Sequence, residues 1–583
     1  MDFFSIISAI DSFLWGPPLI ILLVGTGIYL TLRLKLLQVA KLPLAMKLIL
    51  SAKNKGDGDI SSFKALCLAL SATVGTGNIV GVATAVEVGG PGAIFWMWVA
   101  AFFGMATKYA EGLLAIKYRS KDEIGQVAGG PMYYIELGMG KKYKPLAVIF
   151  AVFCILVAFF GIGTFAQVNA IVDSVSLTFG VPVYITDIIL TLLVAGITLG
   201  GLKSIARAAS AIVPFMAVLY FVTCLGIILL HISDVPAAVA LIIDSAFNGH
   251  AAVGGFAGST IMMAMKNGIA RGVFSNESGL GSAPIAAAAA KTHWPAEQGL
   301  ISMTGTFIDT IIICSMTGLT LVLTGVWSGD LSGAAMTNTA FSMDYGFMGG
   351  IFLTVSLALF AFTTILGWNY YGERACQYLF GIKGILPYRI IFICLVASGA
   401  FLKLEAIWIL ADIVNGLMAI PNLIAIIALS GIISLAGNCH RSCTAVSVIG
   451  VRKFVIYVDF QRFIVYCDDW LGIMLDSIIH ILGLLHINLR VCNIPRSNFQ
   501  RTIGIADCVI FRLICTVSAY FCIMWYIFCI SCIRLRTGNL HLDDFVAGHQ
   551  FACCVAIFHQ RFAIVHFLCT FRRNCQRFRL NFC

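Results

Sequence analysis

Two segments of the chain combine glycines with polar side chains inside long apolar stretches. Residues 71–81 read SATVGTGNIVG, and residues 272–284 read GVFSNESGLGSAP. Glycine lets the backbone approach a ligand, and a half-helix that starts at a break offers free N–H groups and a positive dipole to an anion. The carbonyl groups freed on the other side of the break can coordinate a cation. The pattern therefore indicates two broken helices that bind an anionic group and a metal ion.

Close helix packing through small residues is the alternative explanation of these segments. It suits Gly77 and Gly81, but it explains poorly an Asn-Glu-Ser run beside two further glycines. Non-helical backbone in a bilayer is tolerated where it is buried in protein or lines a cavity. Breaks at corresponding positions of two halves mark the binding site of a transporter, so we prefer the broken-helix interpretation.

The composition places these segments in a membrane. Of the 583 residues, 60% are hydrophobic and 11% are charged, and the mean hydropathy is +0.94. An ordinary soluble domain is about 45–50% apolar and about 25% charged. These values exclude a soluble enzyme, a nucleic-acid binder and a disordered scaffold, and they predict an all-α polytopic membrane protein. The net charge of +10 suits cytoplasmic loops beside anionic lipid.

Eleven apolar stretches before residue 436 are long enough to cross the hydrocarbon core, which takes about 20 helical residues. Lys and Arg lie mainly in alternate loops, which predicts an N-terminus outside and residue 436 inside. The two broken segments fall in spans two and seven, each the first of a set of five. The predicted spans are 14–32, 63–87, 93–117, 146–171, 181–200, 210–231, 256–289, 300–327, 347–372, 386–402 and 406–435.

Four regions follow from this pattern. Residues 1–62 hold a leading transmembrane helix and a basic loop, and residues 63–255 and 256–436 hold one five-helix repeat each. Residues 437–583 differ, because they contain 14 of the 20 cysteines, 14 Arg against one Lys, and no Glu. A cysteine-rich module would seldom lose nearly all of its Lys and Glu. Out-of-frame translation is our preferred explanation of this tail, and a genuine second domain is the alternative.

Three strings resemble motifs of the alanine/glycine:cation symporter family: GGPGAIFWMWVAAFFGMATKYAE at 89–111, GTGNIVGVATA at 75–85 and RGVFSNESGLGSAP at 271–284. The resemblance extends from residue 1 to about residue 436. It implies the leucine-transporter architecture, which has one leading helix and two inverted five-helix repeats. It also implies sodium-driven uptake of alanine or glycine in a bacterial inner membrane. Family members normally end soon after the last core helix, so the tail departs from their pattern.

Within that architecture, a substrate site is expected at the two breaks. Its expected residues are Gly75, Thr76, Gly77, Asn78, Gln167, Phe274, Ser275 and Trp368. The first three would hold the substrate carboxylate on their backbone N–H groups. The Asn78 amide would serve either substrate or ion, with simple helix packing as the alternative. Gln167 is preferred over Asn169, since residues i and i+2 do not share a helix face. Phe274 and Ser275 would line the pocket.

Sodium is the co-transported ion that the resemblance implies, and a hard cation prefers oxygen ligands. The neighbouring hydroxyls of Thr363 and Thr364 in span nine, with freed carbonyls near Ser71 and Val74, would supply them. The alternative is that each Thr hydroxyl bonds back to its own helix, but the span-two break favours the sodium site. Trp368, one turn further on, would cap the pocket or simply pack.

Other charged residues inside the spans receive no site role. They are Lys108, Glu111, Arg271, Glu277, Asp309 and Asp412. Glu277 is costly at this depth unless it is paired, and Arg271 is the candidate partner. A role of Glu277 in ion coupling is the alternative to a structural ion pair. Lys108 and Glu111 are three residues apart on one helix and are expected to pair near the cytoplasmic face. The two aspartates are candidate ion-pathway groups.

The sequence therefore predicts a sodium-coupled symporter that imports small neutral amino acids by alternating access. A proton-coupled transporter of another small solute and a cation channel are the alternatives. A channel would need a continuous polar pore, whereas the sequence shows isolated polar clusters. An enzyme is not expected, because the ten His form no HExxH-like motif. The expected partners are the amino acid, sodium and the lipid bilayer, without nucleic acid. The oligomeric state is open, with a monomer favoured.

Overall fold

The computed structural model describes residues 3–51, 56–248, 261–401 and 405–436. The tail at 437–583 lies outside the described residues, so the hypothesis of out-of-frame translation stays a prediction. The predicted boundary between the two repeats, at residues 255 and 256, also lies outside them. The four predicted regions are therefore an expectation from the sequence.

The leading part and the first set of helices occupy residues 3–248. The leading helices are α1 (Phe3–Leu14), α2 (Pro17–Arg33), α3 (Leu37–Ala40) and α4 (Leu42–Ser51). The first set comprises α5 (Ser62–Thr73), α6 (Val82–Gly89), α7 (Gly92–Lys117), α8 (Pro131–Tyr133), α9 (Lys144–Phe160), α10 (Phe165–Phe179), α11 (Val183–Thr198), α12 (Gly201–Leu230) and α13 (Val235–Asn248). A short antiparallel pair, β1 (Ser120–Lys121) and β2 (Val127–Ala128), follows α7.

The second set of helices occupies residues 261–436. It comprises α14 (Ile261–Asn276), α15 (Ala283–Ala288), α16 (Pro295–Thr306), α17 (Ser315–Leu323), α18 (Gly333–Tyr345), α19 (Phe347–Phe380), α20 (Ile385–Gly399) and α21 (Glu405–Ala428). π-Helical segments interrupt both sets at Gly77–Gly81, Tyr134–Met139 and Phe307–Cys314. Each set begins with a helix that is broken near its middle, as the sequence predicts.

Seven described helices are long and apolar enough to cross a membrane, and two bent pairs raise the number to nine. Each of these nine coincides with a predicted span, which confirms the all-helical membrane architecture. The other two predictions fall on shorter elements. Residues 181–200 contain the 16-residue α11, and residues 256–289 contain α14 and α15 with a break between them. The apolar helix α13 was not predicted.

Local sequence explains where the two central helices break. Ser61 caps α5 by accepting a hydrogen bond from the Lys64 N–H at 3.2 Å, and α5 ends where the glycine-rich string begins. We call residues 74–76 the span-two break. In span seven, Pro284 lies in the first turn of α15, a position where proline needs no N–H partner. We call residues 277–282 the span-seven break.

Helix α7 lies at the centre of the described helices. It packs against α14, α15 and α16, and 83% of its most apolar stretch is buried within the protein. Helix α19 packs against α5, α9, α10 and α12. These two long helices flank the breaks and hold them together.

Candidate functional site

The span-two break leaves backbone groups without helix partners. Val74 takes an extended conformation at the end of α5, with φ −79° and ψ 91°. The chain resumes at the π-helical segment Gly77–Gly81, and the two halves are bent by 54°. The first N–H groups of a helix have no intrahelical acceptor, so those of Thr76 and Gly77 face the break. π-Helical turns occur frequently at functional sites.

Gly75 differs from its two neighbours, because its N–H donates to Asn78 Oδ1 at 2.8 Å. Of the three N–H groups expected to hold a carboxylate, this one is engaged in the structure. Gly75 also approaches α19 closely: a Cβ added to it would lie 2.4 Å from Thr364 Oγ1. The glycine at this position is therefore required by the contact with Thr364.

The side chain of Gln167 reaches the span-two break from α10. Its Nε2 donates to Thr76 Oγ1 at 3.1 Å, and the side chain is buried. With the amide in this orientation, its Oε1 has no hydrogen-bond partner among the described residues. A buried amide oxygen without a partner is costly, and it is available to accept from a ligand. Gln167 therefore reaches the break, and its preference over Asn169 as a substrate-binding residue stays a prediction.

The two breaks meet at Gly77. A Cβ added to Gly77 would lie 3.3 Å from Ser275 Cα and 3.4 Å from Phe274 Cδ1. Phe274 and Ser275 are at the end of α14, just before the span-seven break. A glycine here lets the second helix approach to contact distance. The structure therefore brings together the residues that were predicted from two separate parts of the sequence.

Asp309 joins the two breaks. It lies on the π-helical segment Phe307–Cys314 and is fully buried. Its Oδ1 accepts from Asn78 Nδ2 at 2.8 Å. Its Oδ2 accepts from Ser275 Oγ at 2.9 Å and from Thr310 Oγ1 at 2.8 Å. One carboxylate thus links span two, span seven and span eight.

The sequence interpretation missed this junction, since it treated Asp309 only as a candidate ion-pathway group and did not consider Thr310, Cys314 or Thr317. Thr317 Oγ1 donates to the Asn78 carbonyl at 2.8 Å. Cys314 Sγ lies 3.3 Å from Asn78 Nδ2 and 3.4 Å from Ser275 Oγ. The available signal was a carboxylate beside a threonine in an apolar segment. The π-helical register that turns both toward the breaks is not visible in the sequence.

The hydroxyls of the predicted sodium site bond back to their own helices. Ser71 Oγ donates to the Leu68 carbonyl at 2.8 Å. Thr363 Oγ1 and Thr364 Oγ1 each donate to the Phe360 carbonyl at 3.0 Å. This arrangement is the alternative that the sequence left open.

Thr364 nevertheless faces the span-two break through its contact with Gly75. A hydroxyl that donates one hydrogen bond keeps its acceptor lone pairs, so Thr364 Oγ1 can still bind a cation. The Val74 carbonyl follows the last turn of α5 and belongs to the same break. Thr363 differs, because its Oγ1 lies 3.4 Å from the Met216 sulfur. The two threonines, which have the same expected role in the sequence analysis, therefore have different surroundings in the structure: Thr364 faces the span-two break and Thr363 faces Met216.

Trp368 packs between α19 and the segment that precedes α10. It is fully buried, and its ring makes an edge contact with Tyr371 at 5.5 Å between centroids. A Cβ added to Gly163 would lie 2.9 Å from Trp368 Cβ. The Trp368 indole Nε1 has no hydrogen-bond partner among the described residues. These contacts are those of a packing residue, and the proposed role as a cap on the pocket stays a prediction.

Arg271 does not pair with Glu277, so that expectation is wrong. Arg271 Nη1 lies 3.8 Å from Asp412 Oδ2, and its guanidinium lies 5.6 Å from the centroid of the Phe274 ring. Glu277 has a φ of +54°, which turns the chain away from α14. Its carboxylate accepts instead from the Ser282 hydroxyl.

Lys108 and Glu111 are buried and form no ion pair with each other among the described residues, so the expectation that they pair is wrong. They are 2% and 1% exposed. Glu111 Oε1 accepts from the Gly279 N–H at 3.1 Å and from Asn422 Nδ2 at 2.7 Å. Lys108 Nζ is buried and has no hydrogen-bond partner among the described residues. Glu111 therefore contacts the span-seven break through the Gly279 N–H.

Three relatives show how widely the sequence is shared. An uncharacterized transporter of Haemophilus influenzae is 63% identical over 431 residues, which cover 74% of this chain and 94% of the relative. Sodium/alanine symporter AgcS of Methanococcus maripaludis is 51% identical over 441 residues, covering 74% of this chain and 96% of the relative. A probable sodium/glutamine symporter, GlnT, of Bacillus subtilis is 38% identical over 434 residues, covering 74% and 89%.

Solved structures and a family profile complete the comparison. MhsT in complex with L-phenylalanine is similar with a TM-score of 0.48 and 13% identity, covering 65% of this chain and 92% of that chain. The profile of the sodium:alanine symporter family matches residues 1–443. This match and the relatives confirm the predicted family, which is one of transporters and not of enzymes. The chain belongs to the sodium:alanine symporter family.

Proposed function

We propose that this chain imports alanine or glycine together with sodium by alternating access. The observation that carries the proposal is the contact of the two breaks at Gly77 and Ser275. Free N–H groups and an unpaired amide oxygen converge there in a buried region. The start of a half-helix favours negative charge, as the carboxylate of an amino acid provides. The sodium/alanine symporter among the relatives supports the same substrate and ion.

The two polar ends of a zwitterion have different partners in this proposal. The carboxylate binds the N–H groups of Thr76 and Gly77, where the Gly75 N–H is already occupied by Asn78. The ammonium donates to Gln167 Oε1, which has no partner among the described residues. Neutral polar groups match a substrate with no net charge, because a buried charge without a partner is costly.

Phe274 limits the size of the substrate side chain. Its ring lies against the Gly77 backbone, where the substrate carboxylate is placed. We expect Phe274→Ala to shift the preference from alanine toward amino acids the size of valine or leucine. Competition against labelled alanine uptake measures this preference. Phe352→Ala is the matched control, because Phe352 is also a half-buried phenylalanine and lies near the start of α19, where it contacts Tyr345 of α18. An unchanged size preference in Phe274→Ala would place the pocket elsewhere.

Sodium can supply the energy for accumulation. One charge that moves through about 100 mV yields roughly 2.3 kcal/mol, and a tenfold sodium gradient adds about 1.4 kcal/mol. Together these correspond to a concentration ratio of roughly 500 for a neutral zwitterion. A single coupled ion is therefore sufficient for uptake against a gradient.

The sodium site in this proposal comprises Ser71, Val74, Thr363 and Thr364. We expect Thr363→Ala with Thr364→Ala to abolish the stimulation of alanine uptake by sodium. Of the two single variants, Thr364→Ala should have the larger effect, because Thr364 Oγ1 faces Gly75. Thr354→Ala is the control on the same helix, since its hydroxyl bonds to Thr178 at 2.7 Å. Full sodium stimulation in the double variant would contradict this site.

Uptake in reconstituted liposomes tests the proposed function. We expect labelled alanine to accumulate under an inward sodium gradient and not when potassium or choline replaces sodium. Accumulation driven by a proton gradient without sodium would favour a proton-coupled transporter. Sodium flux that is independent of amino acid would favour a channel. Each of these two results would overturn the proposal.

The proposal also places the chain in a membrane with a defined orientation. It is a multi-pass membrane protein, and its relatives include bacterial transporters. We place it in the bacterial inner membrane with the N-terminus outside and residue 436 inside, because the basic loops alternate in that sense. Labelling of single cysteines introduced in the loop at 56–58 and in the loop at 330–332 would test this orientation from either side.

A further inference from the structure

A surface groove lies between the leading helix α2 and the last helix α21. Its volume is about 410 Å³, within the range of roughly 300–1,000 Å³ that is typical of ligand pockets. Six of its seven lining residues belong to α2, and the seventh is Ile427 of α21. Gly25 opens the groove, because a Cβ added to it meets nothing within 4 Å. The lining is mainly apolar, so the groove fits an apolar ligand.

The groove follows one face of α2. Pro18, Ile21, Gly25 and Tyr29 recur along its wall at helical spacing. The 11 positions from Pro18 to Tyr29 correspond to about 17 Å along the helix axis at roughly 1.5 Å per residue. This length is slightly more than half of the hydrocarbon core, which is about 30 Å thick. The groove therefore extends over the depth of one leaflet, as an acyl chain of a lipid does.

Arg33 lies at the end of the groove, one turn beyond Tyr29. Its Nη1 donates to Ser430 Oγ at 2.8 Å and to the Tyr29 hydroxyl, and its guanidinium lies 5.6 Å from the centroid of the Tyr29 ring. In the part of the chain that the structure describes, no carboxylate pairs with Arg33, and its Nε and Nη2 make no hydrogen bond. A guanidinium binds phosphate through two parallel N–H groups, and these donors are available for one.

The charge of the surrounding sequence matches an anionic headgroup. No acidic residue lies between Asp11 and Asp57, whereas six basic residues do: Arg33, Lys35, Lys41, Lys47, Lys53 and Lys55. Clusters of about four to eight basic residues next to a membrane-spanning helix are typical of sites for anionic lipids. In the proposed orientation this cluster faces the cytoplasmic leaflet. The basic end of the groove therefore favours a lipid with a net negative charge.

A lipid chain fits this groove better than a second helix. Helices approach each other in a membrane through small residues four positions apart, but Gly25 lies between Ile21 and Tyr29. These two side chains are 69% and 40% exposed, so they would hold a partner helix away from Gly25. A flexible acyl chain passes between them.

Thr26 adds a polar partner in the wall of the groove. Its side chain is 3% exposed, and its Oγ1 has no hydrogen-bond partner among the described residues. Thr26 precedes Tyr29 by one helical turn, so it lies between the apolar end of the groove and Arg33. The ester oxygens of a phospholipid lie between its acyl chains and its phosphate. The Thr26 hydroxyl can therefore donate to an ester oxygen.

We propose that the groove between α2 and α21 binds one anionic glycerophospholipid. An acyl chain lies along Ile21 and Gly25, the Thr26 hydroxyl donates to an ester oxygen, and the phosphate binds Arg33. This site goes beyond the proposed function, because no step of the transport cycle depends on it. The groove forms only when α2 and α21 are packed together, so the bound lipid stabilises the folded chain by mass action.

Native mass spectrometry of the full chain in detergent tests the basic end of the site. Titration with palmitoyl-oleoyl phosphatidylglycerol or phosphatidylcholine gives the Kd of the first bound lipid. We expect phosphatidylglycerol to bind at least about tenfold more tightly, because a hydrogen bond to a charged group is worth that factor or more and the choline cation opposes Arg33. Arg33→Gln should lower this ratio below about twofold. Arg207→Gln is the matched control, because Arg207 is an exposed arginine on α12, and it should keep the ratio of the unaltered chain.

Gly25→Leu tests the apolar part of the site, because its side chain would fill the groove. We expect the Kd of both lipids to rise by at least about tenfold, since losing about two buried CH₂ groups is sufficient for that factor. Gly196→Leu is the matched control. Gly196 is an exposed glycine on α11, and a Cβ added to it also meets nothing within 4 Å. It should bind both lipids as the unaltered chain does.

Three results would overturn the lipid site. They are equal affinity of the unaltered chain for the two lipids, a preference for phosphatidylglycerol that persists in Arg33→Gln, and lipid binding by Gly25→Leu equal to that of Gly196→Leu. A dimer mass that Gly25→Leu abolishes would assign the groove to a second copy of the chain and would also overturn the proposal. If Arg33→Gln does not fold, the affinity ratio of the unaltered chain and the Gly25→Leu variant decide the question.

Discussion

Gly75→Ala is expected to abolish sodium-driven alanine uptake. The added Cβ would lie 2.4 Å from Thr364 Oγ1, which is closer than two such atoms can approach. Helix α19 cannot easily move back, because α9, α10 and α12 pack against it. The span-two break must therefore shift and misplace the N–H groups of Thr76 and Gly77. We expect an initial uptake rate lower by about 100-fold, since a displacement near 1 Å can cost this much.

Gly81→Ala is the matched control for this prediction. Gly81 ends the π-helical segment that follows the span-two break, but a Cβ added to Gly81 meets nothing within 4 Å. We expect it to transport at close to the parent rate when both variants are compared at equal amounts of folded protein. Size-exclusion chromatography in detergent measures that amount. Normal transport by Gly75→Ala would mean that Thr364 does not contact the span-two break during transport.

The breaks themselves were predictable, because their cause is local. Glycines and a proline interrupt apolar stretches of known length, and no tertiary contact is needed to see that a helix ends there. The same reasoning places Phe274 and Ser275 next to the span-seven break. It does not show that they touch Gly77, because that contact joins residues almost 200 positions apart. The family resemblance supplied that expectation.

The polar junction was not predictable, because it depends on backbone direction and register. Arg271 and Glu277 are six positions apart, and even a continuous helix would place them on different faces, about 9 Å apart along its axis. The positive φ of Glu277 ends that continuity, so the two charges have different partners. Asp309 reaches the breaks from a π-helical segment, where the extra residue rotates the following side chains. Neither feature has a signature in residue types alone.

Lys108→Met is expected to destabilise the folded protein strongly. Its ammonium is 2% exposed and acts on Glu111, Glu277 and Asp309. Removal of one partner from a buried group of charges leaves the others uncompensated, at a cost of about 3–5 kcal/mol. Unfolding by sodium dodecyl sulfate in mixed micelles measures the free energy of unfolding. Lys117→Met is the control, because Lys117 is exposed at the end of the same helix.

Adding Glu111→Gln to Lys108→Met should restore part of the lost stability. The second change removes one negative charge, so the buried cluster returns to the net charge of the parent. Gln also keeps an oxygen that can accept from the Gly279 N–H and from Asn422 Nδ2, as Glu111 Oε1 does. A packing role for Lys108 predicts instead that the two losses add, because distant or independent changes are additive. Recovery in the double variant therefore separates charge compensation from packing, and additive losses would refute the account of this cluster as one electrostatic unit.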